Sequence, residues 1–134
     1  MARPQPPGDE ERIIAALRYG VSQVPVILFI PSHDRKKKPL RDQHLWASQA
    51  MDLFGQLYTG ATAFRALDGV FLDDDGTLLH DQPIMIESYA DRANVEDPER
   101  LGQLVEFARR MGRETRQAAV AIVLGDMLHL IRRF

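Results

Sequence analysis

The chain of 134 residues sets 17 Lys and Arg against 19 Asp and Glu, a formal net charge of -2, and contains no cysteine. That balance gives no overall field toward nucleic acid or an anionic membrane, and the missing thiols exclude disulfides, zinc-thiolate sites and cysteine catalysis. With 45% hydrophobic and 27% charged residues, the composition suits one soluble domain that buries roughly two-thirds of its unfolded surface.

Residues 1–8 are proline-rich and are expected to be disordered or extended. No basic segment feeds an apolar run there, so no signal peptide is expected, and no later run reaches the ~20 apolar residues of a membrane helix. A cytoplasmic protein follows. Residues 9–20 read as a short helix capped by Asp9, with Ile13, Ile14 and Leu17 on one face and Gly20 as its stop. Such a helix is too short to stand alone and is expected to dock on the body or a partner. Residues 21–134 form a single α+β domain.

Val26 to Ile30 is a β-branched apolar run that meets Pro31 and then Ser32, His33, Asp34 and Arg35, the pattern of a central strand ending in a polar cluster. A basic loop follows, Arg35 to Arg41. Asp42 is placed to cap a helix whose apolar face carries Trp46, Ala50, Leu53, Phe54 and Leu57. Thr62 to Asp73 reads as a strand with a bulge near Asp68-Gly69, and Asp73-Asp74-Asp75-Gly76 as a tight turn. The return strand, Thr77 to Ala90, breaks at Asp81-Gln82-Pro83, because proline cannot donate to a ladder. Asp97-Pro98-Glu99 starts a helix with Leu101, Leu104, Val105, Ala108 and Met111 on one face, stopped by Gly112. Residues 119–131 close the chain as a hairpin about Gly125-Asp126.

The order β, α, β-β, α, β predicts a ferredoxin-like βαββαβ fold: an antiparallel sheet with two helices on one face, a short N-terminal helix and a C-terminal hairpin strand. The other sheet face is then open. It invites cover by the N-terminal helix or a second copy, since large apolar patches usually mark interfaces. The topology also gathers Ser32 to Arg35, Asp42 to His44, Asp73 to Asp75 and Gly112 to Gln117 at one rim, with Glu87 and Tyr89 nearer the opposite rim.

Four chemistries are open at the first rim. Asp34 with Asp73, Asp74 and Asp75 offers oxygen ligands for magnesium or manganese, similar to the palm of nucleotidyl transferases and cyclases, although the Gly-Gly before the hairpin acids is missing; the bland reading is a turn. Ser32, His33 and Asp34 have the residue types of a triad, but neighbours on an extended segment point to alternate faces, so His33 would need Glu114 as its partner. Arg35, Arg110, Arg113 and Gln117 suit an anionic ligand, or else Arg35 or Arg113 pairs internally with Asp34 or Glu114. Arg35, Lys36, Lys37, Lys38 and Arg41, with Arg132-Arg133, make a possible nucleic-acid contact, or a solvated loop.

Pro-Ser-His-Asp-Arg at 31–35, a helix containing Trp46, Gly-Ala-Thr-Ala at 60–63, Gly69-Val70, Glu87-Ser-Tyr and Gly-Arg-Glu-Thr-Arg-Gln at 112–117 together resemble a family of small uncharacterised bacterial α+β proteins, over roughly residues 24–131. The resemblance implies a compact bacterial α+β domain and brings no activity or cofactor with it. The expected function is therefore a non-catalytic binding or assembly module that self-associates, or joins a larger complex, through the open sheet face, without a cofactor. The alternative is a small metal-dependent phosphoryl-transfer or phosphodiester enzyme built on the carboxylate and arginine rim.

Overall fold

A computed structural model describes residues 3–6, 8–17 and 23–134. Its elements in chain order are α1 (Asp9–Leu17), β1 (Val24–Ile30), α2 (Gln43–Tyr58), β2 (Thr62–Arg65), β3 (Gly69–Leu72), β4 (Leu78–Asp81), β5 (Ile84–Ala90), α3 (Arg92–Glu96), α4 (Pro98–Glu114), β6 (Val120–Leu124) and β7 (Met127–Ile131). Five strands form an antiparallel sheet in the order β2-β5-β1-β6-β7. Its first four strands have the ferredoxin-like arrangement, and β7 extends it through the expected C-terminal hairpin. That hairpin turns on Gly125 at φ 66, a left-handed angle glycine adopts without strain.

Period-two alternation decides what each strand buries. Val26, Leu28 and Ile30 of β1, Ile84 and Ile86 of β5, and Val120 and Ile122 of β6 face the helices and are buried. They meet Trp46, Ala50, Phe54 and Leu57 of α2 and Leu104, Ala108 and Met111 of α4 in one core. In register across the strands, Phe64, Met85, Phe29, Ile27, Val123, Ala121, Leu128 and Leu130 share the other face.

The helix ends show which local signals decide structure. Asp97 caps α4 by accepting from the Arg100 amide at 3.0 Å, with Pro98 in the first turn. Asp42 makes no such cap. Its carboxylate accepts from the Trp46 indole at 3.2 Å instead, and Arg110 lies over the Trp46 ring at 5.0 Å. Gly112 does not stop α4, which runs on to Glu114. A side chain at Gly112 would overlap the ring of Phe134, so glycine serves close packing there. Asp91 caps the short α3, which the sequence reading passed over.

The main departure lies between β2 and β5. Two strands with a bulge and a break were expected, but the chain leaves the sheet after Arg65 and returns at Ile84. In between it builds a separate two-stranded hairpin, β3–β4. Asp68-Gly69 and Gln82-Pro83 are its two joints, held by the Ala66 amide donating to the Pro83 carbonyl at 2.9 Å. Of its apolar side chains Leu79 is buried, while Val70, Phe71, Leu72 and Leu78 stay more than half exposed. α1 buries none of its residues, and Gly20, its expected stop, lies outside the described residues. No helix among the described residues is long and apolar enough to cross a membrane.

Candidate functional site

At the end of β1 the backbone passes from the buried Pro31 to a half-buried polar group. Asp81, at the end of β4, receives both the Ser32 amide, at 2.8 Å, and the Ser32 hydroxyl through one carboxylate oxygen. The Ser32 oxygen also accepts from the Gln82 amide at 2.9 Å and lies 2.7 Å from Nδ1 of His33. A hydroxyl has one proton and two lone pairs. With the proton on Asp81 and one lone pair on the Gln82 amide, the remaining lone pair takes an Nδ1–H from His33. This assignment from the network leaves Nε2 as the basic nitrogen. His33 Nδ1 is 3.7 Å from the same Asp81 oxygen, so the ring faces that carboxylate directly as well as through the serine. Ser32 is thereby committed to bridging and is no free nucleophile.

The loop that follows is ordered by its own side chain. Asp34 accepts from the Lys36 amide at 2.8 Å and the Lys38 amide at 3.0 Å, and Lys37 takes a left-handed φ of 66. The hydrogen bond from the Lys38 amide, then that from Lys36, holds the Asp34 carboxyl below its ordinary range. Gln117 ties the loop to the end of α4 by donating to the His33 carbonyl at 2.8 Å, and the Arg35 amide donates to the Arg116 carbonyl at 3.0 Å. Gln43, in the first turn of α2, reaches the Ile30 carbonyl at 3.3 Å and the Gln82 carbonyl at 3.0 Å.

Between this rim, the outer sheet face and the β3–β4 hairpin lies a cavity of about 550 Å³. Its walls are apolar where Phe29, Phe71, Leu79 and Leu130 meet, and its polar end carries His33, Asp81, Arg35 and Gln117. Size and lining both suit a small organic ligand.

Several expected site residues fall elsewhere. Asp73 and Asp74 border the cavity, but the acids serve their own turn: Asp73 accepts from the Asp74 amide at 2.8 Å and Asp75 from the Thr77 amide at 2.9 Å. Bonds from the Thr77 hydroxyl and amide hold Asp75 below the ordinary carboxyl range. No three His, Cys, Asp or Glu side chains gather to hold a metal among the described residues. Arg110 belongs to the helix layer, donating to Gln49 at 3.1 Å and stacking on Trp46 and Phe107. Arg113 and Glu114 are exposed, and neither they nor Asp34 and Arg35 form an ion pair among the described residues. The expected salt-bridge lock is thus replaced by the backbone and Gln117 bonds above. Lys36, Lys38 and Arg41 are exposed, while Arg35, Lys37 and Arg132 border the cavity. Asp81 is the site residue the sequence reading missed. Its signal was an acid stranded beside a proline break, next to the end of a strand.

No protein-family model matches the chain, and neither does any curated protein. The fold resembles that of a phage SAM lyase. In its complex with S-methyl-5'-thioadenosine that protein matches with a TM-score of 0.59 and 11% identity, over 84% of this chain and 92% of the other. In its apo state it matches with a TM-score of 0.57 and 12% identity, over 86% and 93%. These neighbours are an enzyme, and of the face expected to lie open Phe29, Ala121, Leu128 and Leu130 line the cavity, while Phe64, Leu128 and Leu130 remain exposed. The expectation of a non-catalytic module assembling through that face is corrected by the likeness to an enzyme.

Proposed function

We propose that this chain is a small enzyme that cleaves a carbon–sulfur bond in a nucleoside-bearing sulfonium compound, S-adenosylmethionine or a close analogue, held in the cavity between the hairpin and the sheet. The observation that carries the reading is His33, which lines the cavity with Nδ1 engaged by Ser32 beside Asp81 and Nε2 without a hydrogen-bond partner among the described residues. The likeness to a lyase solved with S-methyl-5'-thioadenosine supports the substrate class. The reading keeps from the alternative expectation only that the chain is an enzyme and replaces its metal-dependent phosphoryl chemistry.

In the proposed step Nε2 takes a proton from the carbon next to the one that bears sulfur. The C–H electrons form a double bond as the carbon–sulfur bond breaks. The departing pair neutralises the sulfonium to a thioether, and the proton remains on His33, where Asp81 stabilises it until solvent removes it. The apolar walls suit a purine ring, and Asp81 suits the positive charge of the substrate. The cysteine-free composition goes with a cytoplasmic setting.

The test is incubation with S-adenosylmethionine and chromatographic detection of S-methyl-5'-thioadenosine, for wild type and His33→Ala. Product from wild type alone supports the reading. Absence of product, together with no rise in Tm on adding S-methyl-5'-thioadenosine, overturns it.

A further inference from the structure

Three segments far apart in sequence meet at the end of the sheet that carries His33. The Arg35 amide donates to the Arg116 carbonyl at 3.0 Å, which sets the loop 35–41 against the end of α4. The pairing of Ile131 with Val120 brings Arg132 to the same edge, and the Phe134 ring fills the space beside Gly112, which places Arg133 next to α4. The loop contributes five cations, the last turns of α4 contribute Arg109, Arg113 and Arg116, and the tail adds two; all ten are exposed. None of them makes an ion pair among the described residues, and the arginines that donate side-chain hydrogen bonds there are Arg65, Arg100 and Arg110. More than half of the 17 Lys and Arg therefore stand at this end, whereas of the 19 Asp and Glu only Asp34, Asp42 and Glu114 lie in or beside these segments. Asp34 is taken up by the Lys36 and Lys38 amides, and Asp42 by the Trp46 indole. The net charge of -2 thus conceals one strongly basic end.

We propose that this basic end is a docking surface for the phosphate backbone of double-stranded nucleic acid, bound without regard to sequence. Cations spread over three segments can be engaged together only by a ligand that repeats its charge, and a phosphodiester chain does so. Arginine outnumbers lysine among them, and its planar fork grips two phosphate oxygens at once. A duplex fits better than a single strand, which needs aromatic rings to stack its bases. The exposed aromatics Phe64, Phe71 and Tyr89 lie on β2, β3 and β5, outside these segments. An anionic membrane wants apolar side chains set among the cations, and neither the loop 35–41 nor the end of α4 exposes a large one. The hairpin acids approach this end at Lys37, which is within electrostatic reach of Asp75, so Lys37 contributes least. The surface does not depend on the enzyme reading.

The experiment is fluorescence anisotropy of a labelled DNA duplex of arbitrary sequence, titrated with the full chain in potassium chloride. A Kd of about 1–10 μM is expected at 50 mM salt, and contact with about four phosphates predicts a loss of roughly 100-fold on going to 200 mM. The double variant Arg113→Ala/Arg133→Ala should weaken Kd at least tenfold and lower the slope of log Kd against log salt by about two. Both side chains lie outside the cavity lining, so the Tm should hold; Lys36→Ala/Lys38→Ala carries the test if the first variant does not fold. No binding, binding that ignores salt, or wild-type affinity in the folded variant would overturn the proposal. So would tighter binding to a single strand of the same sequence, equal binding to polyglutamate, or a preference for phosphatidylserine vesicles over the duplex.

Discussion

Replacing Asp81 with alanine tests the whole account of the rim, because one carboxylate oxygen holds both the Ser32 amide and the Ser32 hydroxyl. Hydrogen bonds to a charged acceptor contribute about 1.5–3 kcal/mol each when half-buried donors are left without a partner. Ser32 keeps its contact with Gln82, and the site is partly open to water, so water recovers some of the loss. A net destabilisation of about 2–4 kcal/mol is therefore expected for Asp81→Ala. For a domain of this size that lowers Tm by roughly 6–20 °C. Asp81→Asn should lose only about 1 kcal/mol, since an amide oxygen still accepts both bonds and only the charge assistance goes. Urea unfolding followed by circular dichroism measures both variants, and the slope m must stay constant for the comparison to hold. If Asp81→Ala loses less than about 1 kcal/mol, or if alanine and asparagine are equivalent, the carboxylate does not organise this rim.

His33→Ala should lower turnover by about 10²–10⁴-fold while changing unfolding free energy by less than about 1.5 kcal/mol, because it removes a base and a single hydrogen bond; equal losses in both would mean a structural histidine. Gly112→Ala should destabilise by about 1–3 kcal/mol through overpacking against Phe134, and Phe134→Ala in the same chain should remove most of that penalty. Additive losses in the double variant would show that the two do not touch. The carboxyls of Asp34 and Asp75 are held below their ordinary value of 3.8 by donors present only in the folded chain. Their contribution is thus complete above that value and disappears as pH falls through their lowered folded values. Asp34→Asn should flatten the acid limb of the stability profile, an effect tempered by solvent screening, and an unchanged limb would remove Asp34 from this role.

Much of the frame was legible because it rests on local signals. Asp97-Pro98 fixes the start of α4 through its own cap, and the alternation of Val26, Leu28 and Ile30 fixes the buried face of β1. The excursion between β2 and β5 was hidden because both its joints imitate defects within a strand: Asp68-Gly69 looks like a bulge, and Pro83 like an edge. Deciding between a kinked strand and a departing one needs knowledge of what lies alongside, which no local window holds. The same blindness concealed Asp81. Its partner is Ser32, far off in sequence and close only once the hairpin has folded back over the rim. The gathering of residues at one end of the sheet was correctly expected for Ser32, His33, Gln43 and Gln117, because strand direction alone dictates it. It failed for Arg110, which sits on the side of α4 turned toward α2 and stacks there on Trp46 and Phe107.

Arg65 and Ile84 are direct partners across β2 and β5, so the excursion from Ala66 to Pro83 begins and ends at neighbouring points of the sheet. A short turn joining those two residues would leave every strand pair of the main sheet in place. The frame and the cavity wall are therefore encoded by separable lengths of sequence. Substitutions along the hairpin can reshape what the cavity admits while the packed layer beneath remains unchanged. Asp81 and Gln82, at the joint, answer to both through their bonds to Ser32 and Gln43.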